Sequence, residues 1–131
     1  MIKGILVTLF VLCVGSVALG QDPVKVDPNH YKVEFENSEV RVLRVKVGPG
    51  EKSIMHQHPN AVAVFMTDIN GKFTFPDGKT EATTRKAGDA LWTPATSHLP
   101  ENTGDQPFEV ILVELKSKPS VKKEHHGGRR R

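Results

Sequence analysis

The chain has 131 residues, room for one ordinary domain and not for two, so a two-domain enzyme is excluded. Hydrophobic residues at 37% and charged residues at 25% make it too apolar for wholesale disorder and too polar for a membrane protein, while 11 Gly and 9 Pro predict a turn-rich globular fold. The net charge of +3 is uneven: residues 116–131 carry seven basic side chains and one acidic, residues 21–115 ten basic and fourteen acidic, so a nucleic-acid-binding surface on the domain itself is excluded.

Residues 1–20, MIKGILVTLFVLCVGSVALG, have a basic Lys3, an apolar run from Ile5 to Val14 and the small residues Ala18 and Gly20 before Gln21. This is a secretory signal pattern with cleavage expected after Gly20, which makes the protein secreted or periplasmic. Thr8, Gly15 and Ser16 interrupt the run, which falls short of the ~20 apolar residues of a spanning helix. The bulky Leu12 before Cys13 argues against lipid attachment. Cleavage removes the single cysteine, so the mature chain has neither a disulfide nor a thiolate ligand.

Residues 21–30, with Pro23 and Pro28, read as an extended arm, and the domain proper is expected over 31–116. Tyr31 to Phe35 alternates like a strand. Glu39 to Val47 is rich in β-branched residues, and its apolar phase slips between Val42 and Leu43, which predicts a bulge or a strand covered on both faces. Ala61 to Thr67 is a continuous apolar run that suits a buried strand. Asn70-Gly71 and Pro76-Asp77-Gly78 are hairpin signals leading into strands at Lys72 to Phe75 and Thr80 to Lys86. Ala90 to Thr93 and Phe108 to Lys116 complete the set. About seven short strands punctuated by Gly and Pro, with no capped helical periodicity, predict an all-β sandwich or barrel. From residue 117 to 131 the chain is charged, lacks apolar period and is expected to be disordered, its Lys and Arg suited to anionic surfaces such as lipid or polyanion.

No GxGxxG, GxxxxGK or serine nucleophile elbow is present, which excludes dinucleotide and P-loop chemistry. The chemistry-bearing residues are histidines. His56 and His58 are two apart in GEKSIMHQHP, and alternate side chains of an extended strand share a face. His98 follows some forty residues later in WTPATSHLPEN, at what reads as a strand-to-loop corner. Three neutral imidazoles suit a divalent metal such as Fe, Mn, Zn, Ni or Cu and leave positions open for water or a small molecule. Read singly, each is as consistent with a locally hydrogen-bonded histidine. His125 and His126 in the tail are a weaker metal-capturing pair.

These residues resemble the two motifs of the cupin family. The first, Gly, five residues, His-x-His, then Glu and Gly, is matched by Gly50, His56, His58 and loosely Gly71. The second, Gly, five residues, Pro-x-Gly, two residues, His, three residues, Asn, is matched by Gly88, Pro94, His98 and Asn102, with Thr96 for the second Gly and one residue fewer before the His. The resemblance covers about Val33 to Leu115 and implies a double-stranded β-helix, or jelly-roll, barrel with a metal centre inside, a small-molecule ligand in the barrel and homodimers through edge strands. One departure stands out. The metal-binding Glu of the first motif falls at Val62 or Ala63 and is missing, which leaves His56, His58 and His98 as a three-His set. Such a site keeps the ion's full charge and favours anionic ligands or hydroxide.

Glu101 and Asp68 are the nearest acidic residues in sequence and the candidates to brace an imidazole, although both also fit exposed positions. Phe65, Phe73, Phe75, Trp92 and Phe108 are candidates for core or pocket lining, and Met55 and Met66 for gap-filling. Arg41, Arg44 and Arg85 fit exposed strand positions, so no substrate-orienting Arg is singled out. Three functions are consistent with this reading: a metal-dependent oxygenase-like enzyme, a non-catalytic small-ligand module, and a structural jelly roll.

Overall fold

A computed structural model describes residues 21–117. The expected signal segment and the tail beyond Ser117, with Cys13, His125 and His126, lie outside the described residues. A short helix α1 (Pro23–Val26) precedes nine strands: β1 (Tyr31–Glu36), β2 (Val40–Val47), β3 (His56–His58), β4 (Ala61–Phe65), β5 (Ile69–Thr74), β6 (Thr80–Arg85), β7 (Ala90–Thr93), β8 (Thr96–Asn102) and β9 (Phe108–Leu115). They form a five-stranded sheet in the order β1-β2-β9-β4-β7 and a four-stranded sheet in the order β3-β8-β5-β6. All pairings are antiparallel. The fold is the all-β jelly roll expected.

Period-two alternation explains most of the core. Leu43, Val45 and Val47 of β2 point inward and pair with Leu112, Val110 and Phe108 of β9; on β4, Ala63 is opposite Leu112 and Phe65 opposite Val110. The other side chains of these strands form an outward cross-strand row, Phe35–Val42–Val113–Val62–Trp92, one residue from each strand of the sheet. The run at Ala61 is therefore not buried on both faces: its alanines face in and its valines out. The phase slip at Val42 and Leu43 does mark a bulge, but the extra residue is in β1, between Val33 and Phe35.

Three local expectations are corrected. Residues 21–30 are not wholly extended, because Asp22 caps α1 by accepting from Val24 N at 2.9 Å and the buried Pro23 takes a first-turn position that needs no N–H donor. Asn70-Gly71 is not a hairpin but lies inside β5. A Cβ at Gly71 would stand 2.9 Å from the Glu101 carbonyl oxygen, so this glycine allows β5 and β8 to approach. Pro76-Asp77-Gly78 does form a turn, with Gly78 at φ 84°. Finally, His98 is not at a corner but within β8.

The arm is tied down by polar bonds. Ser53 Oγ donates to Asp27 at 2.6 Å, and His30 bridges Asp27 at 2.8 Å and Glu51 at 2.9 Å. Burial pulls the His30 pKa down, but its bonds to Glu51 and Asp27 outweigh that and hold it above its ordinary value of 6.5. A raised pKa stabilises the folded state fully below the unfolded value and loses that effect as pH climbs through the folded one. His30→Gln is therefore expected to lower the melting temperature by a few degrees at pH 6 and by much less at pH 9. Thermal melts of both proteins across that range check the sign.

Candidate metal centre

The pleat and the strand register bring the histidines together. His56 and His58 are on one face of β3 and are buried, with 1% and 4% exposure, while His98 is directly opposite His56 in the β3–β8 ladder. The ring centroids of His56 lie 4.6 Å from His58 and 5.0 Å from His98, and those of His58 and His98 are 5.2 Å apart. Their ligand-capable nitrogens all lie within 4.8 Å of one another. Two metal–nitrogen bonds of ~2.1 Å span about 3.4 Å at a tetrahedral angle and ~4.2 Å at most, so the rings would draw in by roughly an ångström to share one ion. All three expected residues thus converge.

Their protonation suits a cation. Burial, and then the neighbouring His58, pushes the His56 pKa down to about 4; burial, and then His58 and His56, pushes that of His98 down to about 3. These two imidazoles are neutral at pH 7. His56 Nδ1 lies 2.6 Å from the Ile54 carbonyl and donates to it, so its Nε2 turns a lone pair inward, 2.8 Å from His58 Nε2. His98 Nε2 is buried with no hydrogen-bond partner. Phe73 stacks on the His98 ring at 4.7 Å and 3°, and Tyr31 meets His56 edge-on at 4.8 Å, which hold the two rings in place.

His58 carries the most informative contact. Its Nδ1 is buried, makes no hydrogen bond, and lies 3.6 Å from Glu114 Oε1. If His58 Nε2–H donated to His56, the bare Nδ1 lone pair would face a carboxylate, an unfavourable arrangement. The tautomer with the proton on Nδ1 turns that proton toward Glu114 and leaves both Nε2 lone pairs converging on one point, an arrangement that a cation between them satisfies. The donor set and the orphaned His98 Nε2 fit a divalent ion by the same logic.

Glu114 was not among the sequence candidates. It continues the inward phase Phe108, Val110, Leu112 of β9, so the period-two pattern could have found it. Only 3% exposed, it is held by Arg41, whose guanidinium donates to Glu114 at 3.1 Å and 3.2 Å and to Asp22 at 2.7 Å and 3.1 Å. Arg41 is thus half-buried in a network and not on a free surface. The two acidic candidates brace no imidazole: Glu101 pairs with Lys72 at 3.1 Å, and Asp68 with Lys86 at 3.3 Å. Arg44 too is half-buried and not on a free surface, paired with Glu34 and Glu109.

The site opens onto a cavity of about 140 Å³ between the sheets, lined on this side by His58 and His98 and elsewhere by Phe65, Phe73 and Phe108. Trp92 is not part of it. Alternation on β7 turns its neighbours Leu91 and Thr93 inward and leaves Trp92 53% exposed. Phe75 is half-buried outside the lining, and Met66 is 49% exposed.

The family model described as "Cupin domain" matches residues 43–114, more than half of the chain. The chain belongs to the cupin family. Among solved structures, a cupin domain from Bordetella pertussis superposes with a TM-score of 0.62 at 25% identity, covering 66% of this chain and 92% of that one. A Cupin 2 conserved barrel domain protein from Salinispora arenicola gives 0.53 at 22% identity, covering 70% and 80%. The polyketide cyclase RemF from Streptomyces resistomycificus gives 0.50 at 17%, covering 68% and 66%. No curated protein matches. Against the cupin motif, β4 places Ala63 on the inner face and Val62 on the outer, so the missing Glu leaves an apolar wall beside the histidines.

Two desolvated neutral imidazoles, buried His56 and half-buried His98, have an acid signature. The unfolded chain takes up protons below pH 6.5, whereas His56 and His98 resist until about 4 and about 3, so the stability they permit above pH 6.5 is lost as pH falls. At ~1.4 kcal/mol per pKa unit, and a few degrees per kcal/mol for a domain of this size, the metal-free cupin should melt roughly 5 °C or more lower at pH 4.5 than at pH 7. In His98→Leu that acid limb should be shallower; equal limbs in melts of the two proteins would contradict the assignment.

Proposed function

We propose that this cupin is a secreted protein that binds one divalent metal through His56, His58 and His98 and acts on a small molecule held in the barrel. The observation that carries the reading is the close grouping of buried His56 and His58 with half-buried His98, their ring nitrogens within 4.8 Å of one another, beside an apolar cavity. An ion there, Fe, Mn, Zn, Ni or Cu, would supply Lewis acidity and, for a redox metal, oxygen chemistry. The chain's own contributions are definable. Ile54 O and Glu114 orient His56 and His58, Phe73 fixes the His98 ring, and the apolar walls exclude water from the ligand.

The lining itself favours a second reading, a non-catalytic binding module. Among the described residues, no carboxylate lines the cavity, so no general base of that kind faces a bound ligand. Metal analysis of untagged protein, followed by oxygen uptake with candidate ligands, separates the two. Stoichiometric metal with turnover supports the enzyme, stoichiometric metal without it supports the module, and no metal at all overturns both metal readings. Secretion is tested by N-terminal sequencing of exported material, which should begin at Gln21.

A further inference from the structure

Arg85 is a cation in an unexpected place. On β6 it pairs with Ile69 of β5, and side chains of directly opposed residues share a face of the sheet. Ile69 is 4% exposed in the core, so Arg85 occupies an inward-facing position, and it lines the cavity at its solvent-exposed rim. Two residues before it on the same strand, Thr83 lines the cavity too. Arg41 and Arg44 each clamp carboxylates, but Arg85 donates only to the neighbouring Thr84 carbonyl at 3.0 Å and has no acidic partner among the described residues. No carboxylate lines the cavity to neutralise it.

The remaining walls set the size and character of an occupant. A cavity of about 140 Å³ walled by Phe65, Phe73 and Phe108 is close to the roughly 150 Å³ of an apolar cavity that takes up benzene. It has room for a single six-membered ring. A planar guanidinium at the rim offers two parallel N–H donors to a planar carboxylate. We infer that the barrel binds a monocyclic carboxylate, its ring among the three phenylalanines and its carboxylate on Arg85. The inference deepens the proposed function by naming a ligand class, and rests on it only for what happens at the ring edge facing His58 and His98; binding itself needs no metal. A competing explanation is that an inward charge on β6, an edge strand, only discourages edge-to-edge aggregation.

Calorimetric titration of the metal-free full chain with benzoate, and separately with the neutral isostere benzamide, tests the assignment. Benzoate should bind about threefold to tenfold more tightly, the worth of one charge-assisted hydrogen bond weakened by solvent at an exposed rim. Arg85→Gln should reduce benzoate to about the benzamide level while weakening benzamide far less, and Arg85→Lys should recover part of the difference. Equal affinities for the two compounds, or benzoate binding unchanged in a soluble Arg85→Gln protein, would overturn the inference. Aggregation of Arg85→Gln with benzoate affinity intact in its monomeric fraction would assign Arg85 to edge protection and overturn it equally. Benzoate binding that appears only after metal loading and ignores Arg85 would place the carboxylate on the ion instead. A zinc titration of the same samples keeps the two readings apart: benzoate bound without zinc binding sinks the metal site and leaves this inference standing, and the reverse result sinks this inference alone.

Discussion

Replacing His98 with alanine is expected to abolish stoichiometric divalent-metal binding while leaving the chain folded. The ring sits on β8 opposite His56 and supplies the third nitrogen of the cluster, so its loss leaves two imidazoles from one three-residue strand. Two ligands without a carboxylate cannot complete a closed or catalytic site of the usual three-or-four-ligand kind. Affinity should fall by about a hundredfold or more, beyond the 10- to 100-fold usual for an outer-shell group. His56→Ala and His58→Ala should behave alike, whereas truncating the tail at His125 should not. Fold integrity has its own readout: the metal-free melting temperature of His98→Ala should lie within several degrees of wild type, because the ring deleted has a buried, unpaired nitrogen. Saturating metal should raise the melting temperature of the native chain and not of the variant, since a ligand that binds only the folded state stabilises it by mass action. Full-affinity binding by any of the three single variants would rule out the centre.

Glu114→Ala should be the most damaging single change near the site. It removes a carboxylate that faces His58 Nδ1 on one side and a partly buried guanidinium on the other. Removing one partner of a buried ion pair typically costs ~3–5 kcal/mol, because the other charge remains desolvated. Asp22 still holds the Arg41 guanidinium, so the lower end of that range, and a fall of roughly 10 °C or more in melting temperature, is expected. Glu114→Gln keeps an acceptor for the His58 N–H and should lose less stability. Zinc titration of the Gln variant should then show an affinity 10- to 100-fold below wild type, the usual cost of losing an outer-shell carboxylate. If both variants melted like wild type, the Asp22–Arg41–Glu114 network would not contribute as described.

Much of this was legible in the sequence, because the barrel strands follow local alternation and the His-x-His pair needs only a pleat to share a face. What escaped has identifiable causes. β8 was obscured by Pro100, which reads as a breaker, yet each half of the strand has its own neighbour, β3 along Thr96–His98 and β5 along Leu99–Asn102. Asn70-Gly71 has hairpin chemistry, but the glycine serves a close backbone approach between non-consecutive strands, which no local pattern reveals. Trp92 is close to His98 in sequence, but strand alternation turns it to the opposite face. Glu114 is a polar residue at the inward phase of a strand otherwise assigned from its apolar members, and reading the phase strictly would have flagged it. Arg85 is on a strand with no apolar phase, so only its pairing with Ile69 reveals the face it occupies.

The segment that leads into the barrel reaches the metal pocket by two routes. The Gln21 carbonyl accepts from the backbone of Gln57, the residue between the two strand histidines, at 2.8 Å, and Asp22 grips the guanidinium that steadies Glu114 behind His58. On the proposed reading that a leader is removed after Gly20, the point of cleavage would bear on the geometry of the histidine cluster. Scission after Gly20 preserves both grips; scission two residues further on would erase them and leave the barrel strands intact. Under that reading, misprocessed protein would stay folded while its affinity for the proposed ion fell, a defect that an assay of solubility would miss.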